Sequence, residues 1–410
     1  MAQILFLTDR LPWPLDDGNA LRVHQLASHL GPTHGCHLAC PRRRTQALGE
    51  LESQGVFRSI TLLEPPPNRR SWRRHFRRGD HEFERTAYPR HFAATVARLQ
   101  DLVDRERIDA VVAVLMRWEE YLRPLRGPAK VVDQYDCATL ALERQLATAP
   151  PRGRVARWRA ERILRRTAAR EALLAAHCEM ITTIAEPDAR RLRELNGPGA
   201  TIAVVPNGVD SSLLERPRPP LEAAPGICFW GNLAFPVNEQ AVRSFYTRVW
   251  RPHLEAEGVR WAIVGPNAGP ELRALSDRHE LIQVPGFVDD LFDYLRDFPL
   301  MINPMISGAG LKNKVLEAFA AGIPVVSTSL GVEALPVRDG VHCRVADAPD
   351  ELAAAVLALL ADPAGRRRLA DAAEALVRRD YSWSSVAERF ARNLVKSGGV
   401  QLGKRGGGGS

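Results

Sequence analysis

The sequence predicts an α/β protein built from two parallel-sheet domains, on three observations. Its 410 residues are too many for one ordinary domain and suit two, each large enough to bury its own core. Short apolar runs alternate with amphipathic helical patterns, the rhythm of parallel βα units. That rhythm breaks at a Pro- and Gly-rich segment, residues 206–226, and then restarts.

Taken in order, QILFLT reads as a buried strand, DRLPWPLDDG as a loop, and NALRVHQLASHL as a helix with Asn19 as its N-cap. CHLAC, SITLL, DAVVAVL, AKVVDQY, MITTI and TIAVVP complete the strands of the first half. Beyond the linker, GICFWG, RWAIVG, LIQVPG, PLMINP and IPVVST give five βα units, enough for a doubly wound sheet. A final helix, WSSVAERFARNLV, follows a broken arginine-rich stretch and is expected to return to the first domain. The expected divisions are residues 1–205, 206–380 and 381–398, with a tail at 399–410 whose GKRGGGGS reads as an appended linker.

Composition narrows the function classes. With 45% hydrophobic and 25% charged residues, the chain is a soluble globular type rather than a disordered or fibrous one. No apolar run reaches the roughly 18 residues a membrane span needs, and MAQILFLTDRLPW lacks a signal-type start, so a cytoplasmic protein is expected. The six cysteines are scattered, mostly within strand-like text, which suits reduced core thiols. Cys36 and Cys40 with His34 and His37 form the one metal-like group; no second ligand pair stands at zinc spacing, and no metal is expected. The net charge of +8 comes from arginine and favours anionic partners.

In open α/β sheets, ligands sit beyond the carboxyl ends of the strands, and a glycine-bearing loop running into a helix cradles phosphate. PLMINPMISGAGLKNKVLEAFAAGIPVVST has that form. The loop is Ser307-Gly308-Ala309-Gly310, and the helix is expected from Leu311 to Ala321, stopped by Gly322 and Pro324. Lys312 and Lys314 fall in its first turn, where the macrodipole disfavours cations unless a doubly anionic ligand reverses the sign. Glu317, set among Val315, Leu316, Ala318 and Phe319, can accept hydrogen bonds from ribose hydroxyls. The plainer alternative is solvated lysines, one of them in an ordinary helical ion pair with Glu317.

The stretch GAGLKNKVLEAFAAGIPVVST resembles the donor-site motif of family 4 glycosyltransferases of the GT-B fold, in which two glutamates separated by seven residues lead into EA.A.G.PVV.T. VPNGVD at 205–210, VPGFVDDL at 284–291 and YSWSSVAERF resemble further family features in the expected order. ILFLTDRLPWPLDDGNALR and FWGNLAFPVNEQAV resemble a subgroup found near exopolysaccharide and exosortase loci. The resemblance implies two Rossmann-like doubly wound domains facing across a cleft. It also implies transfer of a sugar from a nucleotide-diphosphate sugar, UDP- or GDP-linked, to a saccharide or lipid-linked acceptor in bacterial polysaccharide or glycoconjugate biosynthesis. Retention of configuration, and no metal or cofactor, are implied as well.

Residue by residue, the resemblance places Gly308, Ala309, Gly310, Leu311, Lys312, Lys314 and Glu317 at the donor, with Gly286, Phe287 and Val288 from VPGFVDDL. Two departures stand out. Eight residues before Glu317 the family glutamate is replaced by Ala309, so that carboxylate is missing. The diphosphate Arg and Lys expected after Gly231 are replaced by Asn232 and by Val237 or Asn238, and Lys312 and Lys314 are expected to supply the charge instead.

In the first half, Gly18 and Asn19 open a helix and can offer backbone N–H groups to phosphates or to the transferred sugar, or form a simple turn and cap. Asp133, Gln134, Tyr135 and Asp136 end the AKVVDQYD strand; Asp136 is the candidate catalytic or orienting carboxylate, with capping of the next helix as its alternative. His24 reads as a packing histidine and Asp289-Asp290 as a helix start. In NRRSWRRHFRRGD, a helix would set Arg69, Arg73 and Arg77 beside Arg70, Arg74 and Arg78 in two adjacent stripes flanked by Trp72 and Phe76, with Arg70, Arg73, Arg74 and Arg77 as the membrane candidates. This is the pattern of a helix on an anionic membrane surface near a lipid-linked acceptor. RGRVARWRAERILRR at 152–166 is a second basic helix, and solvated arginine faces are the alternative for both. Two rivals remain: a GT-B nucleotide-sugar epimerase or hydrolase, and an arginine-rich nucleic-acid-binding protein. A nucleic-acid partner is not expected, because neither basic stretch lies in a recognisable binding module.

Overall fold

A computed structural model describes residues 1–15, 18–42, 47–65, 83–220 and 224–396. The chain divides into two compact units, one of Met1–Pro206 with the residues from Trp383 onward, the other of Asn207–Ser382. The division falls at the start of the Pro- and Gly-rich segment, between residues 206 and 207.

The first unit holds a seven-stranded parallel sheet. Its strands are β1 (Gln3–Leu7), β2 (Gly35–Pro41), β3 (Ser59–Leu63), β4 (Ala110–Val114), β5 (Ala129–Tyr135), β6 (Met180–Thr183) and β7 (Ile202–Val204). Their order is β3-β2-β1-β4-β5-β6-β7, with Ile4 registered against both Cys36 and Ala110. Leu5, Leu7, Val111, Ala113, Val132 and Ile181 lie in one buried cluster. Helices cover both faces of such a sheet, which is why these strands read as continuous apolar runs. The chain moves outward from β1 to β3 and then restarts on the other side at β4, so the topological switch lies between β1 and β4.

The second unit repeats the plan with β8 (Gly226–Trp230), β9 (Arg260–Val264), β10 (Ile282–Gly286), β11 (Leu300–Asn303), β12 (Val325–Ser327) and β13 (Arg344–Val345). The order β10-β9-β8-β11-β12-β13 puts its switch between β8 and β11. Trp250, Trp261, Phe229 and Phe245 anchor its core. The sixth strand corrects the expectation of five: β13 is a two-residue edge strand paired to Val326 and Ser327, too short to show an apolar period.

The last helix, Trp383–Lys396, buries Val386, Phe390 and Leu394 and packs on the helix Gly18–Leu30 of the same unit. The stretch before it is not broken. Pro363–Asp380 is one helix, opened by Pro363 and by the Asp362 carboxylate accepting the Gly365 N–H at 2.8 Å. The first helix begins at Gly18, so Asn19 lies inside it and is not its N-cap. Cys36 and Cys40 are buried thiols of β2, and burial pushes Cys36 up to about 12. No described helix is long and apolar enough to cross a membrane.

Candidate functional site

Open α/β sheets present ligands at their switch points, so the candidate site is built from the ends of β8 and β11. β8 delivers Phe229 and Trp230 and then turns at Gly231, whose φ is +152°. A Cβ there would lie 3.0 Å from Asn238 Nδ2 and 3.1 Å from Lys314 Nζ. A Cβ on Gly265, after β9, would meet the Gly231 carbonyl oxygen at 1.9 Å. Only glycines allow the two backbones to approach in this way.

Asn232 accepts the Ala234 N–H at 3.0 Å, a local turn that leads into the helix Pro236–Phe245. From that helix the buried Asn238 reaches back. Its Nδ2 donates to the Asn232 carbonyl at 2.8 Å, and its Oδ1 accepts from Lys314 Nζ at 2.7 Å. Lys314 also lies 4.1 Å from the Phe229 ring centroid, a cation–π contact. Glu317, on the same helix as Lys314, accepts the Trp230 indole N–H at 2.8 Å. Three separate segments therefore bring Gly231, Asn238, Lys314 and Glu317 together.

Burial dominates the electrostatics here. It lowers Lys314 to about 7; the nearby Lys312 charge adds to that fall and Glu317 opposes it. Burial likewise raises the Glu317 carboxyl, against the pull of Trp230 and Lys314. A phosphate-bearing ligand at Lys314 would restore the charged ammonium by supplying the counter-charge.

The loop before this helix differs from expectation. The helix runs over Asn313–Ala320, so Lys312 stands at the preceding cap position and only Lys314 is in the first turn; Leu311 is buried outside the helix. Lys312 Nζ donates to the carbonyl oxygens of Ala309 and Gly310 at 2.7 and 3.0 Å. It thereby braces a loop in which Gly308 and Gly310 adopt φ of +105° and +73°. At Ala309, where the motif would have a carboxylate, a backbone carbonyl meets a lysine instead. Beyond β9, the Gly286 carbonyl accepts the Gly265 N–H at 2.9 Å and so borders the same glycine pair. Phe287 is 71% exposed and Val288 half-buried beside it. Asp290 caps the helix Leu291–Tyr294, and its pairing with Arg216 at 2.7 and 2.8 Å holds its carboxyl down to about 2.

In the first unit the β1/β4 switch point carries a pocket of about 230 Å³ lined by Thr8, Asp9, Asn19, Ala20, Val114 and Leu115. Gly18, exposed, opens the helix at its rim. Leu115 adopts a φ of +69°, a conformation costly for a leucine. Of the polar cluster ending β5, three members turn inward. Asp133 receives Arg22 through both oxygens at 2.9 and 3.0 Å, and Arg22 also donates to the Pro206 carbonyl at 3.0 Å. Gln134 accepts the Met116 N–H at 2.8 Å, and Tyr135 lies buried beneath the Arg22 guanidinium. Asp136 alone is exposed. It does not cap the helix Ala138–Thr148: Cys137 is the N-cap, and the buried Glu171 accepts the Ala138 and Thr139 N–H groups at 2.8 and 3.0 Å.

Residues 224–362 match the family model described as Glycosyl transferases group 1. The matched span lies wholly within the second unit. Among curated proteins, the chain is 28% identical over 256 residues to a glycogen synthase of Mycobacterium tuberculosis, covering 58% of this chain and 59% of that one. It is 30% identical over 226 residues to a phosphatidyl-myo-inositol mannosyltransferase of Mycobacterium leprae, covering 53% and 59%. The chain thus spans about 59% of the length of these relatives. Among solved structures, Anabaena Alr3699/HepE in complex with UDP-glucose superposes with a TM-score of 0.64 at 14% identity, covering 97% of this chain and 100% of that one. The fold is that of GT-B proteins, two Rossmann-like parallel-sheet domains.

All four residues of the Lys314 cluster fall within the span that matches this family model. Sequence reading named them but not Trp230 and Phe229, which complete the cluster. A signal existed, since the two aromatics end the β8 run just before Gly231. Arg22 was also missed, although it stands four residues before Leu26 and eight before Leu30, in a helical row that is otherwise apolar. His24 is a packing residue against Trp13, bonded to Gln54 at 2.7 Å. Arg70, Arg73, Arg74 and Arg77 lie outside the described residues.

Proposed function

We propose that the chain is a glycosyltransferase that moves a sugar from a nucleotide-diphosphate sugar to a saccharide or lipid-linked acceptor in bacterial polysaccharide or glycoconjugate biosynthesis. The observation that carries this reading is the meeting of Gly231, Asn238, Lys314 and Glu317 at the β8/β11 switch point of the second unit. Gly231 leaves room for the diphosphate, and Lys314 supplies the cation that the loop after β8 lacks. The Asn313–Ala320 helix adds its positive N-terminal dipole. As the glycosidic bond breaks, negative charge builds on the leaving diphosphate, and these groups stabilise it. Glu317 takes the ribose hydroxyls, and Lys312 holds the Ser307–Gly310 loop against the donor sugar. Asp136 orients the acceptor, and configuration is retained.

UDP is the favoured nucleotide, in keeping with the UDP-glucose complex of the Anabaena neighbour, with GDP as the alternative. The phosphatidyl-myo-inositol mannosyltransferases among the relatives favour a lipid-linked acceptor met at the cytoplasmic face of the membrane. The donor is a substrate, and the reading calls for no cofactor beside it. Thermal-shift measurements with UDP-, GDP-, ADP- and dTDP-sugars test the proposal, because a ligand at 100 times its Kd stabilises by about 2.7 kcal/mol. Failure of all four to raise the melting temperature sinks it. Donor turnover that proceeds equally without acceptor would instead favour the epimerase or hydrolase reading.

A further inference from the structure

The helix Arg154–Glu171 is two-sided in an unusual sense. Its inner row, Ala160, Leu164, Ala168 and Glu171, is the less exposed one, and Glu171 ends it by capping the neighbouring helix Ala138–Thr148. Further apolar residues stand on the other side. Val155 is 63% exposed, Trp158 53% and Ile163 54%. At 100° per residue these three fall on one broad outer face together with Arg154, Arg159, Arg162, Arg165 and Arg166. Arg162 stacks over the Trp158 ring with its guanidinium 5.5 Å from the centroid, which pre-sets both side chains on that face. Between residues 152 and 166 seven arginines face a single carboxylate, Glu161.

We infer that the outer face of Arg154–Glu171 is a docking surface for an anionic lipid bilayer. Charge and chemistry select this occupant. A tryptophan and two aliphatics amid arginines match the layered bilayer surface, where the indole and aliphatic groups enter the acyl boundary and the guanidiniums meet lipid phosphates. A nucleic-acid backbone would use the arginines and leave Val155 and Ile163 without a partner. A second copy of the same face, or the arginine-rich segment at 69–78, carries charge of the same sign and would be repelled. The inference rests on this helix alone and not on the donor site.

Flotation of the full chain with vesicles tests it, using phosphatidylcholine alone and phosphatidylcholine mixed with phosphatidylglycerol. The chain is expected to float with the mixed vesicles only, and to be released by high salt. Changing Arg154, Arg159, Arg162 and Arg165 to Ser should weaken partitioning by about tenfold or more. Changing Val155, Trp158 and Ile163 to Ser should leave low-salt binding in place but abolish what survives at intermediate salt. All seven side chains are on the exposed side, so unchanged thermal unfolding verifies that the variants fold. Failure to float with phosphatidylglycerol, equal flotation of the arginine variant, or displacement by stoichiometric duplex DNA would each overturn the inference. The nucleotide-sugar melting shift is read without lipid, so either result can fail while the other stands.

Discussion

Lys314 holds its ammonium 4.1 Å from the centre of the Phe229 ring, placing a cation from one βα unit against an aromatic face from another. Burial lowers its pKa to about 7, against an ordinary value of 10.5. The unfolded chain therefore binds more protons than the folded one between about pH 7 and 10.5, so this lysine's contribution to stability improves as pH rises through that window. A bound diphosphate acts in the opposite direction by favouring the protonated form. UDP affinity, measured by titration calorimetry, is expected to fall as pH rises from neutral to mildly alkaline, with proton uptake visible as a dependence on buffer ionisation enthalpy. Lys314→Met should weaken UDP binding by about tenfold or more and flatten the pH dependence, since a charged contact contributes roughly 1.5–3 kcal/mol. Retention of wild-type affinity and slope would remove Lys314 from the site.

Glu317→Gln keeps an amide oxygen for the Trp230 indole, bonded at 2.8 Å in the parent, and removes only the charge. The fold should persist while donor binding or turnover drops by about tenfold or more, the scale of one lost charge-assisted hydrogen bond. Kinetics with donor varied, alongside a melting curve, checks this. An unchanged kcat/KM would leave Glu317 as a partner of Trp230 alone.

Much of this arrangement was legible in the sequence. Both sheets follow from runs such as QILFL and GICFW, which are buried on both faces and so show no polar alternation to confuse them with loops. The helix Asn313–Ala320 was legible from Gly308, Gly310 and the Gly322 stop. Its start was not, because Leu311 is buried by tertiary packing while remaining outside the helix. Lys312 and Lys314 look equivalent in sequence. Folding separates them, since Lys312 is drawn to its own loop carbonyls and Lys314 to Asn238, 76 residues away. No local pattern records a partner at that distance. The same holds for Arg22, whose carboxylate partner Asp133 lies 111 residues on.

The Arg22–Asp133 pair is almost fully excluded from solvent and is completed by Thr182 Oγ1, which donates to Asp133 at 2.7 Å. Burial alone would lower the arginine's pKa, but Asp133 outweighs it and the net direction is upward. Arg22→Met leaves the buried carboxylate unpaired and should destabilise the first unit by roughly 3–5 kcal/mol. The double change Arg22→Met with Asp133→Leu should recover part of that loss. Calorimetric unfolding of the single and double variants reads both values. If the single variant melts like the parent, the pair does not hold this unit together.

Asp136 and Glu171 offer the sharpest separation of function from capping, because Cys137 is the N-cap of the helix Ala138–Thr148 and Glu171 accepts its first N–H groups. Glu171, fully buried, accepts the Ala138 and Thr139 N–H groups and a further hydrogen bond from Gln134 at 3.2 Å. Removing it by Glu171→Ala strands those donors away from water and should cost about 1–3 kcal/mol of stability. Asp136 is exposed one residue before the Cys137 cap, so Asp136→Asn should change stability by no more than about 0.5 kcal/mol, the ordinary range for a surface site. Its proposed role is with the acceptor. Acceptor-dependent transfer should therefore fall by about a hundredfold or more, the lower end expected when a positioned acid–base group is lost, while titration with donor alone stays at the parent affinity. Measured together, the three quantities discriminate cleanly. A melting loss in Asp136→Asn would return it to a structural role, and equal losses of donor affinity and transfer would move it to the donor.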